Sequence, residues 1–287
     1  LQNEIHFIVF TTVIILLYVI SCCMLLKKYP SFWLFFAIIS NASLLAVERG
    51  NSDLLIFAVV VFAGLSSFML LRSILIIIAS ILKVYPIITV FSLWSRKLYF
   101  TFTGMLISLF FITQWQDLAQ VRQSTPSPSG FLSYGSYNLS QSTVAIKLHI
   151  TPLLLDAVLV VLSLIIYYKT RIFKKIENND SVQKSHIIFL IGGSIYIFTF
   201  MLSSNFNYRL IFLMLCIPYI CLNLKPVLKY IILILILIIS NFWLISLISI
   251  RVSSYLSGMA SIIIFISIFT LLYDALIRLK SFDLLNN

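Results

Sequence analysis

Glu48-Arg49-Gly50-Asn51-Ser52-Asp53 separates two apolar runs, residues 31–47 and about 53–71, with three charges and an asparagine. Between soluble elements such a stretch would be an ordinary polar turn. Here the flanking sequence decides the reading. A helix needs about 20 mostly apolar residues to cross a hydrocarbon core, and apolar runs near that length follow one another along almost the whole chain. The stretch therefore reads as a turn between two membrane helices. The fold class that follows is all-α, a polytopic transmembrane helix bundle forming one domain over residues 1–287.

Composition agrees. Of 287 residues, 61% are hydrophobic and 10% charged, where a soluble domain carries about 25% charged residues. The net charge of +11 does not indicate nucleic acid, because the basic residues sit singly or in pairs at the ends of apolar runs instead of clustering on one face. That placement is what orientation by cytoplasmic Lys and Arg produces. Cys22, Cys23, Cys216 and Cys221 lie inside apolar runs and read as small apolar residues. His6, His149 and His186 are scattered, so no metal site is expected, and no Walker A, GxGxxG or HExxH pattern occurs.

The remaining runs are 6–26, 73–84, 86–94, 98–114, 151–168, 187–203, 209–224, 227–250 and 255–276. With Lys27-Lys28 in the cytoplasm and alternate threading, fourteen of the twenty Lys and Arg fall on the cytoplasmic side, including Arg72 and Arg96. Arg49, Lys83, Arg122, Lys147, Arg209 and Arg251 fall outside. About 10 membrane segments result. Residues 115–150 form an extracytoplasmic loop, rich in turn residues, in which Asn138-Leu139-Ser140 matches the glycosylation pattern. Residues 169–186 form a basic cytoplasmic loop. The chain starts at Leu1 on the outer side, so an upstream helix is expected. Two half-length runs lie between Arg72 and Arg96. At 1.5 Å per residue each spans roughly 18 Å, which predicts a broken helix hairpin with Lys83-Val84-Tyr85-Pro86 at its tip. Pro86 enforces the break, because proline lacks an N–H and restricts the residue before it.

Charges within a bundle are costly and mark candidate sites. Three stretches share the outer side: Glu48–Asp53, Lys83–Pro86 and Asn205-Phe206-Asn207-Tyr208-Arg209. Glu48 and Arg49 can be a plain interfacial ion pair, or the arginine can grip a phosphate while the carboxylates hold it in place. Asp53 opens a helix, where its charge suits the positive end of the dipole. Lys83 can snorkel to the interface, but snorkelling needs no helix break, so an anionic partner is the better reading, with Tyr85 beside it. Arg209 also begins a helix, an unfavourable place for a cation unless an anion offsets it. Asn51, Asn205, Asn207 and Tyr208 are side chains able to contact sugar or acceptor hydroxyls. Asp156 is expected to face the bundle, Asn41 and Asn241 to bond between helices, and Gly192-Gly193 to permit close packing.

These three stretches, with Leu54-Leu55-Ile56-Phe57, Leu82 and Leu210-Ile211-Phe212 adjoining them, resemble bacterial membrane proteins of the glycosyltransferase 87 type, the DUF2029-like group within the GT-C class. The resemblance implies a GT-C-like fold in a bacterial plasma membrane. It also implies an enzyme that moves a sugar from a polyprenyl-phosphate donor to a glycan or lipid acceptor on the extracytoplasmic side. By that resemblance Lys83 meets the lipid phosphate, and the catalytic carboxylate belongs to an outer loop upstream of residue 6. Glu48 and Asp53 are then weaker candidates for the base, more suited to holding Arg49 and capping the next helix. Membrane lipids are further partners. No cofactor is called for, although a divalent cation is compatible with the chemistry.

Two other functions fit the same sequence. A surface-polysaccharide polymerase or ligase of the O-antigen type would rely on Arg122 and Lys147 in the loop. A transporter or flippase for lipid or polysaccharide would show discontinuous helices in both halves of the chain.

Overall fold

An apolar chain that leaves water must satisfy its backbone polar groups internally, and the helix does so within one segment. The computed structural model describes residues 2–114, 133–141, 146, 149–169, 180–202, 205–247 and 249–285. Helix dominates them. In order the helices are α1 (Gln2–Lys28), α2 (Phe32–Ile38), α3 (Asn41–Glu48), α4 (Asp53–Leu65), α5 (Met69–Leu82), the 3-10 helix η1 (Tyr85–Leu93) and α6 (Lys97–Thr113). The strand β1 (Ser133–Tyr134) precedes α7 (Ser136–Ser140), α8 (Pro152–Lys169) and α9 (Asp180–Leu202). Then come β2 (Asn205–Phe206), the 3-10 helix η2 (Asn207–Cys216), α10 (Ile217–Asn223), α11 (Pro226–Ser240), α12 (Phe242–Ser246) and α13 (Ile250–Leu285). The strands pair antiparallel, Ser133 with Phe206 and Tyr134 with Asn205.

Four helical spans are long and apolar enough to cross a membrane: His6–Lys28, Pro152–Lys169, Lys184–Leu202 and Val252–Arg278. Shorter apolar helices fill the rest of the bundle. The outward faces of α1, α6 and α8 are apolar as well, with Phe7, Phe10, Leu98, Met105 and Leu153 exposed. Apolar surface on that scale suits lipid, not water, so the chain reads as a membrane protein.

The bundle is packed around α9, whose Phe189, Tyr196 and Phe200 are buried. The expected role of Gly192-Gly193 holds. A Cβ on Gly192 would lie 2.4 Å from Leu215 Cβ and 2.7 Å from the Phe212 carbonyl, so η2 can press onto α9 only because this residue is glycine. Helix α9 also links the two ends of the molecule. At one end His186 Nε2 meets the Ala275 carbonyl at 3.1 Å, and its ring contacts Tyr219. At the other, thirteen residues and about 20 Å further on, Thr199 meets Tyr134.

Several predicted runs prove to be broken, and in each case side chains take up the freed backbone groups. Residues 31–47 divide at Ile39-Ser40. There Ser43 Oγ donates to the Ala37 carbonyl at 3.1 Å and Asn241 Oδ1 accepts the Asn41 N–H at 3.1 Å, the interhelical bond expected of this asparagine pair. The run 53–71 divides at Ser66–Phe68. Arg72, which the threading puts at the cytoplasmic end of its run, lies inside α5 and is 2% exposed. Its guanidinium donates to the Ala63 carbonyl at 3.2 Å and the Ser66 carbonyl at 2.7 Å, which closes the C-terminus of α4 and suits the negative end of its dipole. The hairpin around Lys83–Pro86 is present, but its second half is 3-10, not α.

The turn between α3 and α4 is built by two residues. Gly50 has φ +53° and donates to the Val47 carbonyl at 3.0 Å, while Asn51 N–H reaches the Ala46 carbonyl at 3.1 Å. This is a Schellman closure. Asn51 Oδ1 then accepts the Asp53 N–H at 2.8 Å, which starts α4. A Cβ at Gly50 would sit 2.5 Å from Thr11 Cγ2 on α1. Gly50→Ala is therefore expected to lower unfolding free energy by about 1–2 kcal/mol through the left-handed backbone and the lost approach of α1. Thermal unfolding in detergent checks this, with Gly104→Ala in the middle of α6, where a Cβ meets nothing within 4 Å, as the control expected to gain about 0.5–1 kcal/mol.

Candidate functional site

Asp53 is the first residue of α4 and 0% exposed. The side chain of the preceding Ser52 makes no capping bond. The Asp53 carboxylate is engaged on both oxygens. Oδ1 pairs with Lys83 Nζ and accepts from Tyr85 Oη at 2.8 Å. Oδ2 accepts from Arg209 Nε at 3.2 Å. Lys83 is held by the helix break, with extended backbone at φ −149° and ψ 149°, and its N–H still closes α5 on the Ala79 carbonyl. Tyr85 and Pro86 are buried at the start of η1.

Arg209 is fixed from further sides. Its Nη1 donates to Asn205 Oδ1, and its guanidinium lies over the Tyr85 ring at 5.2 Å. Asn205 is itself pinned by pairing with Tyr134 in the small sheet and by donating to the Thr199 carbonyl. Arg49 joins the same group, its guanidinium over the Phe206 ring at 5.6 Å. Tyr208 stacks on Phe206 at 5.4 Å. Asn207 is buried at the start of η2.

The three stretches separated in sequence thus meet at one end of the bundle, as the threading expects. Their pairing differs from the expectation. Asp53 binds Lys83 and Arg209, not Arg49, because burying a carboxylate requires opposite charge within contact distance. Glu48 is exposed at the end of α3 and, among the described residues, forms no ion pair with Arg49. The balance of charge at the centre is one carboxylate against two cations, with Lys83 and Arg209 side chains 23% and 22% exposed. The surplus is positive and reaches the surface, and Arg49 adds to it. Such an arrangement can hold an anion without a metal. Among the described residues no cluster of His, Cys, Asp and Glu has the makings of a metal site.

Tyr134 was not singled out in the sequence. It is buried against Tyr196, with rings nearly parallel at 6.0 Å, and its hydroxyl meets Thr199 Oγ1 at 2.8 Å. Burial pushes its phenol above the ordinary value, so it stays a neutral hydrogen-bonding group beside Arg209. Nothing in Ser133-Tyr134-Gly135 distinguishes it from the other tyrosines of a polar stretch; only the pairing with Asn205 does. Asp156 does face the bundle, accepting from Ser136 Oγ at 3.1 Å. Asn138 folds back to donate to the Ser133 carbonyl at 3.1 Å. Arg122 and Lys147 lie outside the described residues.

Comparison with known protein families, with characterised proteins and with solved structures finds no match.

Removing the buried member of a buried ion pair is the costliest change, because two cations lose their counter-charge together. Asp53→Asn is expected to cost about 3–5 kcal/mol of stability. Lys83→Met, which leaves Asp53 paired with Arg209 and Tyr85, is expected to cost less. Thermal or denaturant unfolding of the two variants in the same detergent gives the order directly.

Proposed function

We propose that this chain is a polytopic membrane glycosyltransferase of the GT-C kind. In this reading about 10 segments cross the membrane, with Lys27-Lys28 in the cytoplasm of a bacterial cell and Asp53, Lys83 and Arg209 at the extracytoplasmic end. The donor is a polyprenyl-phosphate-linked sugar and the acceptor a glycan or lipid hydroxyl. The observation that carries the reading is the meeting of Lys83 and Arg209, from distant parts of the chain, on the single buried carboxylate of Asp53, which leaves one positive charge over at the bundle surface. A site for an anion at the rim of a bundle suits a phosphate whose hydrocarbon tail stays in lipid.

The chemistry follows from the charges. The acceptor oxygen bonds to the anomeric carbon as the bond from that carbon to the phosphate oxygen breaks, with inversion. The electron pair leaves on the phosphate, where Lys83 and Arg209 stabilise it. Asp53 positions the two cations and Tyr85 supports Asp53. Arg49 adds positive charge, and Asn51, Asn205, Asn207 and Tyr208 offer hydrogen bonds near it. Asp53 is enclosed and already occupied on both oxygens, so the acceptor proton passes to another base, either exposed Glu48 at the end of α3 or a carboxylate outside the described residues.

One feature favours a second reading, a flippase for a lipid-linked anion using the same site. Helices are interrupted in both halves of the chain, at 39–40, 66–68 and 83–84 and again around 205–217 and at 241, as transporters with paired discontinuous helices are. It differs in outcome, since a flippase moves the lipid-linked sugar across the bilayer without cleaving it.

Charged hydrogen bonds contribute about 1.5–3 kcal/mol each. Lys83→Ala and Arg209→Ala are each expected to weaken binding of a polyprenyl monophosphate by roughly 10–100-fold in lipid nanodiscs. Both are expected to abolish sugar transfer while leaving expression intact. Unchanged binding and transfer in both variants would remove the site from the account, and translocation without cleavage would favour the flippase.

A further inference from the structure

At the end of the bundle opposite Asp53, α8, α11 and α13 enclose a cavity of about 320 Å³ lined by Ile166, Leu228, Ile232, Ile263, Ile266, Ser267, Thr270 and Leu271. It has the size of a small-molecule site but almost no polar demand. The Thr270 hydroxyl is already used, donating to the Ser163 carbonyl at 3.1 Å and the Ile266 carbonyl at 2.7 Å. The surface around it is apolar too, with Val227, Ile231 and Ile234 of α11 exposed.

The rim above it is of another kind. Residues three apart on a helix share a face. Lys169 stands three residues beyond Ile166 on the same face of α8, and Lys225 caps the N-terminus of α11 in extended conformation, three residues before Leu228; both lysines are exposed. On α13 the same face carries Asp274 and Arg278, which pair with one another. Tyr167 and Tyr168 of α8 cluster with Tyr273, Tyr168 Oη at 3.3 Å from Tyr273 Oη. Lys229 lies over the Tyr230 ring at 4.9 Å. Tyrosines at this level, with lysines beside and just beyond them, mark a membrane–water interface.

We infer that this groove binds an anionic phospholipid, with one acyl chain in the cavity and the headgroup phosphate on Lys169 and Lys225. A hydrocarbon chain gains little by leaving other lipid tails for an apolar groove. Shape alone therefore does not select the occupant, and the lysines do. Arg278 contributes less, since Asp274 already compensates it. The site lies at the far end from Asp53 and does not rest on the transfer reaction. It rests on the chain sitting in a membrane.

The test uses the full chain in detergent, with phosphatidylglycerol and phosphatidylcholine of identical acyl chains as probes and native mass spectrometry as readout. Wild type is expected to retain phosphatidylglycerol preferentially. Each lysine near an anionic surface is worth roughly fivefold in affinity, so Lys169→Gln with Lys225→Gln is expected to weaken phosphatidylglycerol retention about 25-fold at unchanged thermal stability. Ser267→Phe, which fills the cavity and leaves the charges, is expected to displace it as well. Full retention in the double-lysine variant, equal retention of the two lipids by wild type, or a second copy of the chain covering this face in place of lipid would each overturn the assignment.

Discussion

A fully buried carboxylate at the start of a helix is the constraint on which this end of the molecule depends. Burying a carboxylate in an apolar surrounding is costly unless opposite charge is in contact with it. The nearest cations in sequence do not serve; the ones that do come from positions 83 and 209. To bring Lys83 there, α5 must stop at Leu82 and the chain must turn in extended conformation before η1. To bring Arg209 there, the chain leaving α9 must form the β2 pairing with residues 133 and 134 and then start a 3-10 helix. The two longest 3-10 stretches among the described residues thus begin within a few residues of the cations that Asp53 holds. Runs of that length are uncommon, and here they coincide with the site.

The same economy of partners governs the other breaks. Each interruption of a helix in an apolar setting exposes carbonyls and N–H groups that water cannot reach. Arg72 folds back over the end of α4, Asn241 reaches the start of α3, and Gly50 with Asn51 closes the end of α3 before opening α4. These polar residues, which resemble a site in sequence, are the means by which a broken helix survives. What separates the Asp53 group from them is its charge. Arg72 donates to carbonyls and finishes a local task, whereas Lys83 and Arg209 share one carboxylate and leave positive charge unspent at the surface.

Much of this was legible from residue order. The apolar runs gave the helical class, and Pro86 after a lysine gave the hairpin break. The three polar stretches gave the members of the site, and alternate threading put them at one end. The pairing within the site was not legible, because contact between residues 53 and 209 depends on how α4 and η2 pack against one another and no local pattern encodes that. The partners of Arg72 were not legible for a related reason: a lone arginine between apolar runs looks the same whether it faces water or caps a neighbouring helix. Ser40 carries no proline or glycine beside it, and Gly64 before Ser66 and Asn241 are single weak punctuators inside long apolar runs, so the divisions there were not legible. Tyr134 entered the site only through strand pairing with Asn205, from a stretch whose polarity suggested a free loop.

The central claim is that Asp53 and Arg209 act as one unit across 156 residues of sequence. A double-mutant cycle measures that directly. Unfolding free energies in one detergent are needed for wild type, Asp53→Asn, Arg209→Gln and the double variant. Residues in contact couple by about 0.5–3 kcal/mol, and distant ones add within about 0.5 kcal/mol. The account predicts coupling above about 1 kcal/mol, with the double variant less destabilised than the sum of the singles. Additivity within about 0.5 kcal/mol would contradict it.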